Sequence, residues 1–127
     1  MEIVRDLLVN SEQPLVRHYS PGELRIGQTA YEHSLIITPQ EGAMRWEPQD
    51  YESLRIEHIE SFLEQEPRPE LILLGTGEKQ RFLPREYMAP LINARIGIEV
   101  MTSAAASRTW NIVLSEGRQA LAAILIR

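Results

Sequence analysis

A continuous apolar run, Leu71 to Leu74, constrains the fold of this chain more than any other stretch. Runs of this kind are typical of strands buried on both faces of a sheet, as in parallel α/β sheets. One helical pattern precedes the run and two follow it, and the later stretches "IEVM" and "ALAAILI" have the apolar character of short strands. Helices that alternate with buried strands predict βαβ units on a mixed sheet.

The first half of the chain has the character of antiparallel β structure. The stretch "LVRHYSPGELRIG" contains two β-type runs on either side of Ser20, Pro21 and Gly22, which favour a hairpin turn. The stretches "HSLIITP" and "AMRW" predict a third and a fourth strand. The whole sequence therefore predicts an α/β fold in three layers, with a central mixed β-sheet, packed helices and an N-terminal antiparallel β-hairpin layer.

Three segments have helical spacing of their apolar residues. The stretch "IEHIESFLEQE" predicts a first helix that ends at Pro67, and "LPREYMAPLINARIG" predicts a second. Pro90 lies inside the second helix, where it predicts a kink or a break. The third helix is predicted within Met101 to Arg118, with Thr102 or Ser103 as its N-cap.

Length and composition predict one ordinary globular domain over residues 1–127, with a loosely ordered start over residues 1–14. The chain has 127 residues, of which 43% are hydrophobic, and its net charge is −5. Its 13 Lys and Arg residues are scattered without a basic run, which argues against nucleic acid as a partner. Because no stretch has the roughly 20 apolar residues of a membrane span, the prediction is a cytoplasmic protein, with peripheral membrane contact left open.

Most familiar chemical motifs are missing from the sequence. There is no cysteine, which removes disulfides, thiolate nucleophiles and Cys-based metal sites. The three histidines have no metal-ligand spacing, so neither a metal nor another cofactor is predicted. Gly75, Thr76 and Gly77 follow a buried strand, but Gln80 stands where the dinucleotide fingerprint needs its third glycine. A tight turn is the preferred interpretation of this loop.

The third helix has an unusual distribution of polar residues. At about 100° per residue its apolar face is predicted to comprise Ala105, Ala106, Thr109, Ile112 and Val113, widened by Trp110 and Leu114. The opposite stripe is predicted to comprise Ala104, Ser107, Arg108, Asn111 and Ser115. Because this stripe has a single charge, it predicts a contact surface. Glu116 is predicted to project toward the apolar face and to pair with Arg118, Arg95 or backbone N–H groups.

Four stretches, "LLGTG", "GIEVM", "AAASRTWN" and "EGR", occur in this order and together resemble the motifs of a known protein family. They are similar to those of the Mth938-like domain family, which includes the mitochondrial NADH:ubiquinone oxidoreductase assembly factor 3. The resemblance implies a three-layer fold with a central mixed sheet. It also implies a chaperone-like role in assembly, since the family has no established enzymatic activity. The matching residues are Gly75 to Gly77, Glu99, Thr109 to Asn111 and Glu116 to Arg118. Thr102 and Ser103 stand where the family often has Asp-Thr, and Trp110 replaces its usual Tyr or Phe.

Two functional hypotheses follow from the residues and the resemblance. The first is a non-catalytic binding or assembly protein whose partner is another protein. Its predicted contact residues are Gly75, Thr76, Gly77, Glu99, Thr102, Arg108, Asn111 and Glu116. The alternative is a small-anion or small-molecule binding protein, or an enzyme, with a pocket at the strand ends near Thr76 and Thr102. In that case Glu99, Arg108 or Glu116 would act as acid, base or clamp. The oligomeric state stays open.

Overall fold

The structure is a computed structural model that describes residues 13–127. The predicted loosely ordered start therefore falls almost entirely outside the described residues. The strands are β1 Val16–Ser20, β2 Glu23–Ile26, β3 Thr29–Tyr31, β4 Leu35–Thr38, β5 Gly42–Arg45, β6 Leu71–Gly75, β7 Gly97–Met101 and β8 Ala120–Ile124. The helices are α1 Ile56–Glu60, continued by a 3-10 turn over Ser61–Glu64, α2 Arg85–Asn93 and α3 Ser103–Ser115. A further 3-10 turn, Tyr51–Ser53, precedes α1.

The strands form two sheets. A five-stranded sheet has the order β5-β4-β8-β6-β7, and a three-stranded sheet has the order β1-β2-β3. In the larger sheet β6 is parallel to both β7 and β8, whereas β4 is antiparallel to both β5 and β8. The smaller sheet is antiparallel throughout. The predicted mixed sheet and the predicted hairpin layer are therefore both confirmed.

The five-stranded sheet lies between two apolar cores. On one face Leu71 and Leu73 pack with α3 and with the β1–β3 sheet. On the other face Ile72 and Leu74 pack with α1 and α2. Successive side chains of a strand point to opposite faces, so a strand that is covered on both sides must be apolar at every position. This explains the uninterrupted run from Leu71 to Leu74.

Two details differ from the sequence-based expectations. β3 is a strand of three residues that the sequence did not predict, and it pairs with β2 over Leu24–Ile26. The second helix runs over Arg85–Asn93 with Pro90 inside it, so the predicted alternative of a break is wrong, while the alternative of a kink stays a prediction. Proline removes the hydrogen bond to the carbonyl four residues earlier, which here belongs to Glu86. Because Glu86 is exposed in the first turn of α2, water can replace that bond.

The residues that follow β8 join several parts of the fold. Leu125 N–H donates to the Gly75 carbonyl, and Ile126 N–H donates to Ser34 Oγ. The Ile126 carbonyl accepts from Gly22 N–H at 3.1 Å, in the turn between β1 and β2. The C-terminal segment therefore connects the smaller sheet, β4 and the end of β6.

Candidate functional site

The loop after β6 packs directly on the beginning of α3. Gly77 N–H donates to Ser103 Oγ at 2.8 Å, and Ser103 N–H donates to the Gly77 carbonyl at 2.8 Å. The Ser103 hydroxyl in turn donates to the Leu125 carbonyl at 2.6 Å. A Cβ added to Gly75 would lie 2.8 Å from Ser103 Cα, and Gly77 has a φ of +99°. The glycines therefore permit a close approach between this loop and α3.

The two threonines predicted at the strand ends are engaged within the fold. Thr76 is only 3% exposed, and its hydroxyl donates to the Lys79 carbonyl at 2.6 Å. Thr102 is the N-cap of α3, where Oγ1 accepts from Ala105 N–H at 3.2 Å. Their hydroxyl groups thus stabilise the loop and the helix end.

A cavity of about 290 Å³ lies beside the end of β6. It is lined by Asp50, Tyr51, Glu52, Thr76, Glu78, Lys79, Arg81 and Arg127, and Thr102 is not among its lining residues. Arg81 is paired with Glu52 at 3.2 Å and stacks over the Tyr51 ring. The cavity therefore has cations and carboxylates in similar number, with one cation already neutralised.

The buried face of α3 is rotated from the predicted one by about one residue, or roughly 100°. Its buried residues are Ser103, Ala106, Ser107, Trp110, Val113 and Leu114. The prediction that Ile112 lies on the apolar face is wrong, since Ile112 is 57% exposed. Trp110 determines the rotation because it is fully buried and its Nε1–H donates to the Pro14 carbonyl at 2.8 Å. Ser107 can be buried because its hydroxyl donates to the Ser103 carbonyl.

Asn111 connects α3 to β1. Its Oδ1 accepts from Val16 N–H at 2.8 Å, and its Nδ2 donates to the Val16 carbonyl at 2.8 Å. Val16 lies next to a β-bulge in the pairing of β1 with β2. The Asn111 side chain therefore holds the smaller sheet against the helix through both its oxygen and its nitrogen.

The two predicted glutamates lie apart from each other. Glu116 is the exposed C-cap of α3, and within residues 13–127 it forms no ion pair, so the predicted pairing is wrong. A fully hydrated carboxylate needs no partner, and Glu116 points to water because of the rotation of α3. Glu99 is exposed at the centre of β7, which is an edge strand of the larger sheet.

The exposed surface of α3 has two parts. The outer face, as we call it, consists of Arg108, Ile112 and Ser115, which are all exposed and lie within about one turn of one another. The β1–α3 groove runs beside it and has a volume of about 180 Å³. It is lined by Val16, Arg17, His18, Tyr19, Ala104, Ser107, Arg108 and Asn111. Arg108 belongs to both parts.

The groove contains residues that the sequence analysis did not select. Arg17, His18 and Tyr19 follow one another in β1, and their sequence has no recognisable motif. Burial raises the pKa of the Tyr19 hydroxyl above its usual value, the hydroxyl of Ser103 lowers it, and the charge of Glu78 raises it further. The order of the strands, and not local spacing, brings these residues to α3. Only knowledge that β1 packs beside α3 could have identified these three residues as part of a site.

The histidines remain dispersed in the structure. Over residues 13–127 no group of three or more His, Asp or Glu side chains is arranged to hold a metal ion. His58 has a structural role that the sequence did not indicate, since its Nδ1 accepts from Arg55 N–H at the start of α1. Among the helices of this described part, none is long and apolar enough to span a bilayer.

Comparisons with solved structures identify the fold. A crystal structure of a Bordetella parapertussis protein superimposes with a TM-score of 0.81 and 29% identity, covering 89% of this chain and 95% of that one. The solution structure of a Bordetella pertussis protein described as a Mth938-like domain gives a TM-score of 0.76 at 25% identity, covering 91% and 86%. The resemblance to Mth938-like domains is therefore confirmed.

Curated relatives include a protein named as a membrane protein and others named as assembly factors. The "13 kDa major membrane protein" of Francisella tularensis is 29% identical over 104 residues, which cover 80% of this chain and 82% of the relative. The "NADH dehydrogenase [ubiquinone] 1 alpha subcomplex assembly factor 3" of Danio rerio is 29% identical over 112 residues. That match covers 87% of this chain but only 63% of the fish protein.

A family model also matches most of the chain. The family is described as "Protein of unknown function (DUF498/DUF598)", and its model matches residues 16–125, from β1 to the residue after β8. The match includes the loop after β6, the whole of α3 and the strand that carries Glu99. The chain therefore belongs to the DUF498/DUF598 family.

Proposed function

We propose that this chain is a non-catalytic protein-binding protein that takes part in the assembly of a protein complex, and that the outer face of α3 contacts the partner. The observation that carries the proposal is the exposure of Ile112, which is 57% exposed one helical turn from the exposed Arg108. An apolar side chain beside an arginine is a common composition of protein interfaces.

The construction of α3 also supports this proposal. Its inner face holds Trp110 and bonds to the loop after β6, so the helix is fixed in the fold from its first residues. A rigid helix presents exposed side chains without a large loss of conformational entropy on binding. The outer face is thus well suited to recognition.

The family relationship gives independent support. Relatives of this chain include proteins named as assembly factors of NADH dehydrogenase, whose named role implies contact with other proteins. The chain spans 63% of the length of the Danio rerio relative, so the identity of the partner is not carried over. What we transfer is only the class of function, binding to a protein during assembly.

Site-specific photo-cross-linking in the native host tests the proposal. A benzophenone amino acid replaces Ile112 in one variant and Ile92 in the other, and adducts are identified by mass spectrometry. Ile92 is a matched control because it is 56% exposed on α2, on the opposite side of the sheet. We expect one defined protein adduct from position 112 and none from position 92.

The alternatives give different results. Equal adducts from both positions, or an adduct from position 92 alone, would overturn the assignment to α3. A single defined adduct from position 112 that Ile92→Glu preserves would support it. Recovery of lipid and no protein at position 112 would favour a membrane-surface role instead. Saturable phosphate-induced NMR shifts at Lys79 and Arg81, without a protein adduct, would favour a small-anion role at the cavity beside β6.

A further inference from the structure

The β1–α3 groove has a charge opposite to that of the whole chain. Its ionisable lining residues are Arg17, His18, Tyr19 and Arg108, and no carboxylate from the described range 13–127 lines it. The chain as a whole has a net charge of −5. Within residues 13–127 neither Arg17 nor Arg108 belongs to an ion pair. Two guanidinium groups therefore remain available for an anionic partner at one concave site.

Two further charged groups act near the groove. Arg25 of β2 lies directly opposite His18, but Glu23 already pairs with it at 3.3 Å. The charge of Glu78 acts on the hydroxyl of Tyr19 and raises its pKa. Within residues 13–127 neither group forms an ion pair with Arg17 or Arg108, so these two guanidinium groups are the cations that a bound carboxylate would meet.

The backbone of β1 adds a second recognition element. Ser20 and Glu23 close the two-residue turn as a hydrogen-bonded pair, so the N–H and C=O of Tyr19 point away from β2. Tyr19 lines the groove, and within residues 13–127 no turn, loop or cap bond engages these two groups. The equivalent groups of Val16 are already bonded to Asn111. Tyr19 therefore offers a free part of the β1 edge in the groove.

We infer that the β1–α3 groove receives an Asp or Glu side chain from an extended segment of a partner protein. The segment adds to the free edge of β1 at Tyr19, while Arg17 and Arg108 bind its carboxylate. Main-chain pairing with an exposed edge and a pocket for one side chain is a known way to recognise extended peptides. Arginine binds carboxylates with two parallel hydrogen bonds.

This inference deepens the proposed function and rests on it, because it assumes that the chain binds a protein. The shape of the site favours a peptide over an anionic membrane. A bilayer presents a broad surface, whereas Tyr19 of β1 is half-buried and lines a groove beside α3. An extended chain reaches such a recess with one side chain and one peptide unit.

Titration with short synthetic peptides tests the inference in the isolated protein. The probe is a blocked hexapeptide of alternating Val and Glu, and its control has Gln in place of each Glu. We expect the acidic peptide to shift the amide resonance of Tyr19 and the side-chain Nε–H resonances of Arg17 and Arg108. We expect added salt to weaken this binding, because the attraction between exposed charges is screened.

Charge reversals locate the binding site. We expect Arg17→Glu and Arg108→Glu each to lower the affinity for the acidic peptide about tenfold, which corresponds to about 1.4 kcal/mol of binding free energy. Arg118→Glu makes the same change at an exposed residue outside the groove and is expected to leave the affinity unchanged. Circular dichroism of all three variants checks that the fold is retained.

Several results would overturn the inference. Equal binding of the Gln peptide would show that the carboxylate is not recognised, and an equal effect of Arg118→Glu would show that the site is not the groove. Binding of phosphatidylglycerol vesicles, with shifts at Arg17 and Arg108 and no peptide binding, would assign the groove to a membrane. A protein adduct at position 112 that Arg17→Glu and Arg108→Glu leave intact, together with no peptide binding, would refute this inference while the proposed function stands.

Discussion

Asn111 makes to Val16 the two hydrogen bonds that a neighbouring strand would make, each 2.8 Å long. A helix side chain thus substitutes for a strand and attaches the smaller sheet to α3. Asn111→Ala leaves the backbone N–H and C=O of the buried Val16 without these partners. Such unpaired groups cost about 1–3 kcal/mol.

We therefore expect Asn111→Ala to lower the free energy of unfolding by about that amount in urea denaturation. The control is Asn93→Ala, at an exposed residue of α2, with an expected change within about 0.5 kcal/mol. Equal effects of the two substitutions would show that the bonds to Val16 do not stabilise the fold.

Three glycines separate two causes of destabilisation. Gly117 has a φ of +72° and open space around it, Gly75 has a crowded Cβ position, and Gly77 combines a φ of +99° with a collision against the Arg127 carbonyl. We expect Gly117→Ala to lower the free energy of unfolding by about 1–2 kcal/mol because of backbone strain. We expect Gly75→Ala to lower it by about 1–3 kcal/mol because of crowding.

We expect Gly77→Ala to be the most destabilising of the three in thermal and urea unfolding, because strain and crowding act together. If it costs no more than Gly117→Ala, the close approach of the loop to Arg127 is unimportant for stability.

The tautomer of His58 follows from its two contacts. Nδ1 accepts from Arg55 N–H at 2.9 Å, so Nδ1 must be unprotonated, and Nε2–H donates to Glu47 Oε1 at 3.0 Å. We expect ¹⁵N NMR of the neutral ring to show the Nε2–H form. His58→Ala should cost about 0.5–2 kcal/mol, as loss of an N-cap does. His18→Ala, at an exposed residue, should cost less, and the Nδ1–H form at His58 would contradict the contact with Arg55.

Tyr19 makes stability depend on pH in the alkaline range. Burial has the largest effect and raises the pKa of the Tyr19 hydroxyl above its usual value of about 10, Ser103 lowers this pKa in part, and the charge of Glu78 raises it further. Above that value the unfolded chain releases the proton before the folded chain does. The folded state then binds more protons, so stability is complete below about pH 10 and falls as the pH rises toward the raised pKa.

We expect absorbance at the tyrosinate band to show one residue that titrates late and that is missing in Tyr19→Phe. The same variant should lose less stability above the usual tyrosine pKa than the native chain. A late-titrating tyrosine that persists in Tyr19→Phe would assign the raised pKa to another residue.

Glu99 occupies the centre of the exposed edge strand β7. Charged residues on edge strands hinder pairing with other chains, so we expect Glu99→Val to promote concentration-dependent self-association in light scattering. Glu86→Val makes the same change at an exposed residue of α2 and should leave the association state of the protein unchanged. Self-association of both variants to the same extent would indicate a general effect of surface charge.

The sequence predicted the elements well where local pattern determines them. The buried run from Leu71 to Leu74 and the turn at Ser20 to Gly22 are both found as predicted. The orientation of α3 could not be obtained in this way. β1 covers one side of that helix and removes Ser107 and Asn111 from water, which leaves Ile112 exposed although it is apolar. Contacts between distant segments thus override the amphipathic pattern.

In the candidate site too, local pattern predicted some residues, whereas contacts between distant segments determined others. Arg108 was predicted from the sparse charge of its stripe and is exposed beside a groove. Its neighbour Arg17 was not predicted, because the two residues are 91 positions apart and only the packing of β1 on α3 brings them to one groove. For the same reason the hydrogen bond from Thr76 to the Met101 carbonyl could not be inferred from spacing.

The position of β8 has a consequence for synthesis on the ribosome. β8 lies between β4 and β6, and it is the last strand of the described chain. A nascent chain that lacks β8 exposes the apolar edges of both neighbours, which are prone to pairing with other chains. The larger sheet can close only when residues 120–127 have emerged. Until then the edges of β4 and β6 that face β8 lack their partner, so β8 is the strand whose arrival completes the larger sheet.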